Sequence, residues 1–175
     1  IRLFGEMSVL ENVMVGRHVR TKAGPFGAIF RPPSVQREER EIAERSRKIL
    51  DYVGLSKRAG EKSRTLAYGE QRRLEIARAL ATEPKMIALD EPAAGMNATE
   101  TVALRQLIER IARDGTTVML IEHDMRLVMN VCQHIAVLDY GRKIADGTPA
   151  EIQKDAAVIK AYLGGAHGEG EGSKA

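Results

Sequence analysis

Met86-Ile87-Ala88-Leu89-Asp90-Glu91-Pro92 is the stretch that decides the fold. Four apolar residues run without a break into two carboxylates and a proline. Such a run is expected as a strand of a parallel sheet, buried on both faces. Carboxylates at the carboxyl end of that strand stand where open α/β folds hold their ligands. Beyond them, residues 98–113 carry Leu104, Leu107, Ile108 and Ile111 at i, i+3, i+4 and i+7, the pattern of an amphipathic helix. A second apolar strand, Thr116 to Ile121, ends in Glu122-His123-Asp124. A helix with Met125, Val128, Val131 and Cys132 follows, then strands at Ile135–Leu138 and Arg142–Ala145 around a Tyr140-Gly141 turn. Thr148-Pro149 opens a short helix, and Ala156 to Leu163 forms another. Alternating strands and helices imply right-handed crossovers and an α/β core with a parallel sheet.

The first half of the chain reads as helical. Ser8 with Glu11 forms a capping box, and the helix from Val9 to about Val19 sets Val9, Leu10, Val13 and Met14 on one face. That face suits the reception of a partner helix as well as ordinary packing. Lys22 to Ser34, with Gly24-Pro25, Gly27 and Pro32-Pro33, reads as an irregular insertion. Its Phe26, Ile29 and Phe30 make it apolar for a linker. Val35 to Gly54 is helical, with Ile49, Leu50 and Val53 inward and Gly54 as the stop. Thr65-Leu66-Ala67-Tyr68-Gly69 leads into a helix from Glu70 to about Thr82. Two lobes are expected, a helical one over 1–83 and a sheet-bearing one over 84–163. Residues 164–175, rich in Gly and Glu, are expected as a disordered tail.

Composition excludes several classes of function. The 175 residues carry a net charge of +3, with basic residues interleaved among acids, which suits a solvated surface and not a nucleic-acid groove. Four tyrosines and three phenylalanines form no stacking series for single strands. No apolar run approaches the roughly 20 residues that span a bilayer. A single cysteine, Cys132, rules out an internal disulfide framework and suits a reducing compartment.

Three features can carry chemistry. Asp90 can hold a Mg²⁺ through water, and Glu91 beside it can orient or deprotonate an attacking water. A glycine loop at a helix start, Leu66-Ala67-Tyr68-Gly69-Glu70-Gln71, offers N–H groups and a positive dipole end to a phosphate. His123, at the edge of the next strand, is placed to reach the same phosphate.

In that order and spacing these residues resemble the ATP-binding cassette family, over Ile1 to about Leu163. Leu66 to Gln71 is similar to the family's signature loop, Met86 to Glu91 to its Walker B strand, Ala94-Gly95-Met96-Asn97 to its D-loop, and His123 to its switch histidine. The resemblance implies a P-loop NTPase-type core with a mainly parallel sheet plus an α-helical subdomain. It implies ATP and Mg²⁺ as cofactors, with Asp90 serving Mg²⁺, Glu91 the water and His123 the γ-phosphate. It also implies a head-to-tail pair of cassettes, each signature loop closing on the ATP of its partner.

Three features depart from the family pattern. No Gly-Lys pair occurs, so the Walker A loop is absent and the chain, opening on Ile1-Arg2-Leu3-Phe4, is expected to begin inside a domain. Ala67 replaces the signature serine. Glu70 stands where glutamine is usual and is expected to point sideways, away from an anion. Within the family, Thr65 to Gly69, Glu91-Pro92-Ala93-Ala94-Gly95, Ile121 to Met125 and the Lys22–Ser34 insertion resemble the ATPase subunits of bacterial importers for branched-chain amino acids. That implies permease subunits docking on the helical lobe, and through them a periplasmic or extracellular substrate-binding protein. It also implies a peripheral place on the cytoplasmic face of the inner membrane, with no nucleic-acid partner. The alternatives are a lipopolysaccharide-export ATPase, which shares Gly147-Thr148-Pro149, and a catalytically inactive fragment.

Overall fold

The computed structural model describes residues 3–17 and 33–163. The chain divides into two compact units, residues 1–121 and 122–175. The insertion with Phe26, Ile29 and Phe30, and the tail at 164–175, lie outside the described residues.

In the first unit, α1 (Val9–Arg17) packs on α2 (Pro33–Tyr52) and on α3 (Tyr68–Leu80). Ser8 and Glu11 close the expected capping box, with Ser8 N–H and Oγ donating to Glu11 Oε2 over 2.7 and 2.8 Å. That acceptance, first from the Ser8 backbone and then from its hydroxyl, holds the Glu11 carboxyl below the usual carboxylate range. Val9 and Val13 have no exposed surface. The two valines of that face are therefore covered from within, because the period that aims them outward from α1 aims them at α2 and α3, while Leu10 and Met14 stay half-buried. α2 opens on Pro33, two residues before the expected Val35, as proline is pre-set for a first helical turn. Leu50, Leu55 and Leu74 complete this core.

β1 (Met86–Asp90) and β2 (Thr117–Ile121) pair in parallel, Met86 opposite Thr117 and Asp90 opposite Ile121. α4 (Ala98–Arg113) connects them and packs on β2, with Leu104, Leu107, Ile108 and Ile111 buried. The expectation that β1 is buried on both faces fails. Ile87 and Leu89 are buried, whereas Met86 is 56% exposed. The bare face continues across β2 at Met119 and Ile121. A strand's side chains alternate, so helices on one side of a two-stranded sheet cover only every second residue.

The second unit has its own core of Val128, Ile135, Val137, Ile152 and Val158. α5 (Met125–Val131) leads to the antiparallel hairpin β3 (Ile135–Asp139) and β4 (Arg142–Gly147). Tyr140 and Gly141 both have positive φ, 44° and 76°, the geometry of a two-residue hairpin turn. α6 (Pro149–Ile152) and α7 (Ala156–Val158) pack on β4, and residues 159–163 continue α7 as a π turn. Cys132 ends α5 half-buried beside this core, and burial pushes its thiol up. Among the described residues, no helix is long and apolar enough to cross a membrane.

Candidate functional site

The parallel pair delivers Asp90 and Glu91 to its carboxyl end. Glu91 N–H donates to the Ile121 carbonyl over 2.9 Å, one ladder bond beyond the strand. There the backbone turns, and Glu91 takes φ 42°. A non-glycine residue enters that left-handed region at a cost of about 1 kcal/mol or more, and such strain collects at working sites. The turn closes through Ala94 N–H to Glu91 O at 3.2 Å and Met96 N–H to Ala93 O at 3.1 Å. Gly95 follows at φ 77°, a conformation glycine adopts without steric cost. Both carboxylates are exposed. Among the described residues no group of three or more His, Cys, Asp or Glu side chains converges on a metal. Two adjacent exposed carboxylates do fit a Mg²⁺ that keeps most of its waters and takes phosphate oxygens as its other ligands. They do not fit an ion caged wholly by protein.

The 66–71 segment starts α3 two residues earlier than its Glu70 suggested. Leu66 is buried, Ala67 is the N-cap with extended backbone, and Tyr68 is the first helical residue. With a methyl in place of a hydroxyl, Ala67 makes no side-chain cap. Glu70 supplies the reciprocal half, accepting from Ala67 N–H at 3.1 Å, while its other oxygen takes Arg58 Nε at 3.2 Å. Its carboxylate thus points sideways, along the helix start. Gln71 Nε2 reaches back to the Leu66 carbonyl at 2.9 Å and fixes the loop's entrance. Tyr68 Oη accepts from Arg72 Nη2 at 2.9 Å.

The structure brings this loop onto the turn that follows Glu91. A Cβ on Gly95 would lie 3.4 Å from Tyr68 Cε1, and a Cβ on Gly69 would lie 2.6 Å from Glu100 Oε1. Glu100 also caps α4, its Oε2 accepting from Asn97 N–H at 3.0 Å while Asn97 Oδ1 accepts from Glu100 N–H at 3.0 Å. A hollow of about 170 Å³ lies here, among Gly69, Met96, Thr99, Glu100 and Leu104. Glu100 was missed from sequence, although Asn97-x-x-Glu100 is a capping-box pattern that could have singled it out. A larger cleft of about 410 Å³ runs beside Tyr52, Arg73, Gln106, Arg110 and Arg113. Its guanidiniums Arg73 and Arg110 donate to the Val53 and Tyr52 carbonyls and so brace the end of α2.

The profile of the ABC transporter family matches residues 1–94, more than half of the chain. The chain belongs to that family. A second profile, for the branched-chain amino acid ATP-binding cassette transporter, matches residues 142–168 of this ABC chain. Over 165 residues the chain is 45% identical to the high-affinity branched-chain amino acid transport ATP-binding protein LivG of Escherichia coli, covering 94% of this chain and 65% of that one. It is 32% identical over 162 residues to the lipopolysaccharide export system ATP-binding protein LptB of Escherichia coli, covering 93% and 61%. A crystal structure of the ADP conformation of an ATP-binding cassette of an ABC transporter superposes with a TM-score of 0.74 at 32% identity, covering 91% of this chain and 64% of that one. The ABC chain thus spans just under two thirds of the length of these curated relatives.

His123 stands in the second unit. Its N–H donates to Glu122 Oε2 at 3.2 Å, and its imidazole is 70% exposed, with Nδ1 3.7 Å from the same carboxylate. Asp124 caps α5, accepting from Arg126 N–H at 2.9 Å, which sets His123 just ahead of a helix start.

Proposed function

We propose that this chain belongs to the ATP-binding and ATP-hydrolysing subunit of an ABC importer for branched-chain amino acids. The observation that carries the reading is the end of β1, where Glu91 turns at φ 42° under a ladder bond to Ile121 and sets two carboxylates side by side. Asp90 holds Mg²⁺ through water, and the ion, when bound, neutralises charge on the phosphates. Glu91 orients the attacking water and takes its proton. His123 contacts the γ-phosphate. Leu66, Ala67, Tyr68, Gly69, Glu70 and Gln71 face the ATP of a second cassette in a head-to-tail dimer, with the first-turn N–H groups of α3 in place of the absent serine hydroxyl.

The lobes 1–83 and 84–163 then serve as the helical and the nucleotide-facing subdomains. Permease subunits dock on the helical lobe at the cytoplasmic face of the inner membrane and link it to a substrate-binding protein outside. The 45% identity to LivG, against 32% to LptB, supports amino acids over lipopolysaccharide as the transported class. The test is Glu91→Gln, assayed in a protein that carries a phosphate-binding loop joined ahead of Ile1. Turnover falls by about 10²–10⁴-fold while ATP binding stays near wild type. Asp90→Asn, in contrast, weakens Mg²⁺-dependent binding too. A Glu91→Gln protein keeping more than about a tenth of wild-type turnover refutes the role.

A further inference from the structure

Two fully buried polar residues have no part in the chemistry above. Asn12 and Ser63 each have 0% exposed surface, and both are aimed at the backbone of Phe4. Asn12 Oδ1 accepts from Phe4 N–H at 2.9 Å, and its Nδ2 donates to the Phe4 carbonyl at 3.1 Å and the Ser8 carbonyl at 3.0 Å. Ser63 Oγ donates to the same Phe4 carbonyl at 2.8 Å, and Met7 N–H reaches it at 3.0 Å. Buried polar groups persist where they are satisfied, and losing one partner costs more than the bond itself contributes.

Around this knot the segment 5–10 runs antiparallel to 59–64. Val9 N–H donates to Glu61 O at 2.9 Å, Leu10 N–H to Ala59 O at 3.0 Å and Ser63 N–H to Met7 O at 3.0 Å. Ser8 and Lys62 form an isolated antiparallel bridge. On the far side the connection continues into the 66–71 loop. Leu66 N–H donates to the Ser63 carbonyl at 3.4 Å, and Gln71 Nε2 holds the Leu66 carbonyl at 2.9 Å. A path of hydrogen bonds therefore runs Phe4, Ser63, Leu66, Gln71.

We propose that Asn12 and Ser63 are positioning residues that tie the 66–71 loop to the segment around Phe4, so that displacing that segment displaces the loop. Resting on the functional reading above, this makes the knot the route by which a shift near Phe4 opens or closes the nucleotide-facing loop. Core packing alone does not account for it, because the neighbouring buried positions of α1, Val9 and Val13, are filled by apolar side chains.

The test is amide hydrogen exchange on the 175-residue chain. Ser63→Ala removes one hydroxyl and leaves Phe4 O two donors, so the fold survives. Amides of 66–71 are expected to exchange about tenfold faster, the effect of one lost buried hydrogen bond. Those of β1 and α4 stay unchanged. Thr65→Ala is the control, since Thr65 Oγ donates to Lys62 O at 2.8 Å in the same turn and not to Phe4 O. It should leave 66–71 as in wild type. Equal acceleration by both variants, uniform acceleration across the unit, or an unchanged 66–71 loop each overturns the proposal. In a protein that carries a phosphate-binding loop joined ahead of Ile1, Ser63→Ala should also lower kcat for ATP about tenfold at an unaltered KM. A wild type without ATPase activity would sink the functional reading while the exchange result still decides the tie.

Discussion

Tyr52, at the end of α2, carries a strongly shifted phenol. Its Oη donates to Asp114 Oδ2 at 2.7 Å, and the Arg110 guanidinium lies 4.2 Å from its ring centroid. Burial first, then the Asp114 carboxylate, pushes the phenol from 10.0 up to about 12. The native state therefore holds that proton more tightly than the unfolded chain does. The resulting stability is complete below pH 10 and disappears as pH rises to about 12. Spectrophotometric titration should show one phenol ionising with a midpoint near 12, and Tyr52→Phe should remove that step. If Tyr52→Phe leaves the titration above pH 10 unaltered, the bond to Asp114 does not form in solution. Gly69 makes a complementary point at this scale. A Cβ there would lie 2.6 Å from the Glu100 carboxylate, 31 positions away along the chain, so that side chain would have to move aside.

Among the described elements, the β1–β2 pair has a bare apolar face. Met86, Met119 and Ile121 are 56%, 45% and 51% exposed on one face of it. An exposed apolar sheet face with open edges templates association. The isolated chain is expected to scatter light as oligomers, and Met119→Lys should reduce that scattering while changing stability by no more than about 0.5 kcal/mol. Loss of more than about 2 kcal/mol would instead place Met119 in a packed core. The α4 N-terminus carries the opposite sort of prediction. Asn97→Ala removes the acceptor for Glu100 N–H and should cost about 1 kcal/mol in urea denaturation. Because Glu100 lies against Gly69, the same substitution should loosen the 66–71 loop, which exchange rates there would report.

At the scale of the whole molecule, the chain forms two units. Asp90, Glu91 and the 66–71 loop belong to residues 1–121, and His123 to residues 122–175. A triphosphate is gripped mainly by a glycine-rich loop whose N–H groups and lysine cradle its phosphates. No Gly-Lys pair occurs among the 175 residues. Titration calorimetry of this chain with Mg-ATP should accordingly show no micromolar binding. Micromolar affinity would mean that the carboxylates, His123 and the helix start hold nucleotide by themselves.

Local pattern sufficed wherever the physics is local. The i, i+3, i+4 spacing in α4 placed Leu104, Leu107, Ile108 and Ile111 in the core, and Ser8 with Glu11 announced the start of α1. The apolar run into Asp90-Glu91 was equally legible as a strand end, because strand and carboxylates are neighbours in sequence. Tertiary structure alone decided which face of β1 is covered, since Met86 and Ile87 are both apolar and only the position of the helices separates them. It alone decided that Val9 and Val13 are core. It also decided the partners of Asn12 and Ser63, whose bonds to Phe4 span 8 and 59 residues. A hydrogen bond closed over that distance leaves no period or spacing in the sequence, because its geometry exists only once the helices that carry it have packed.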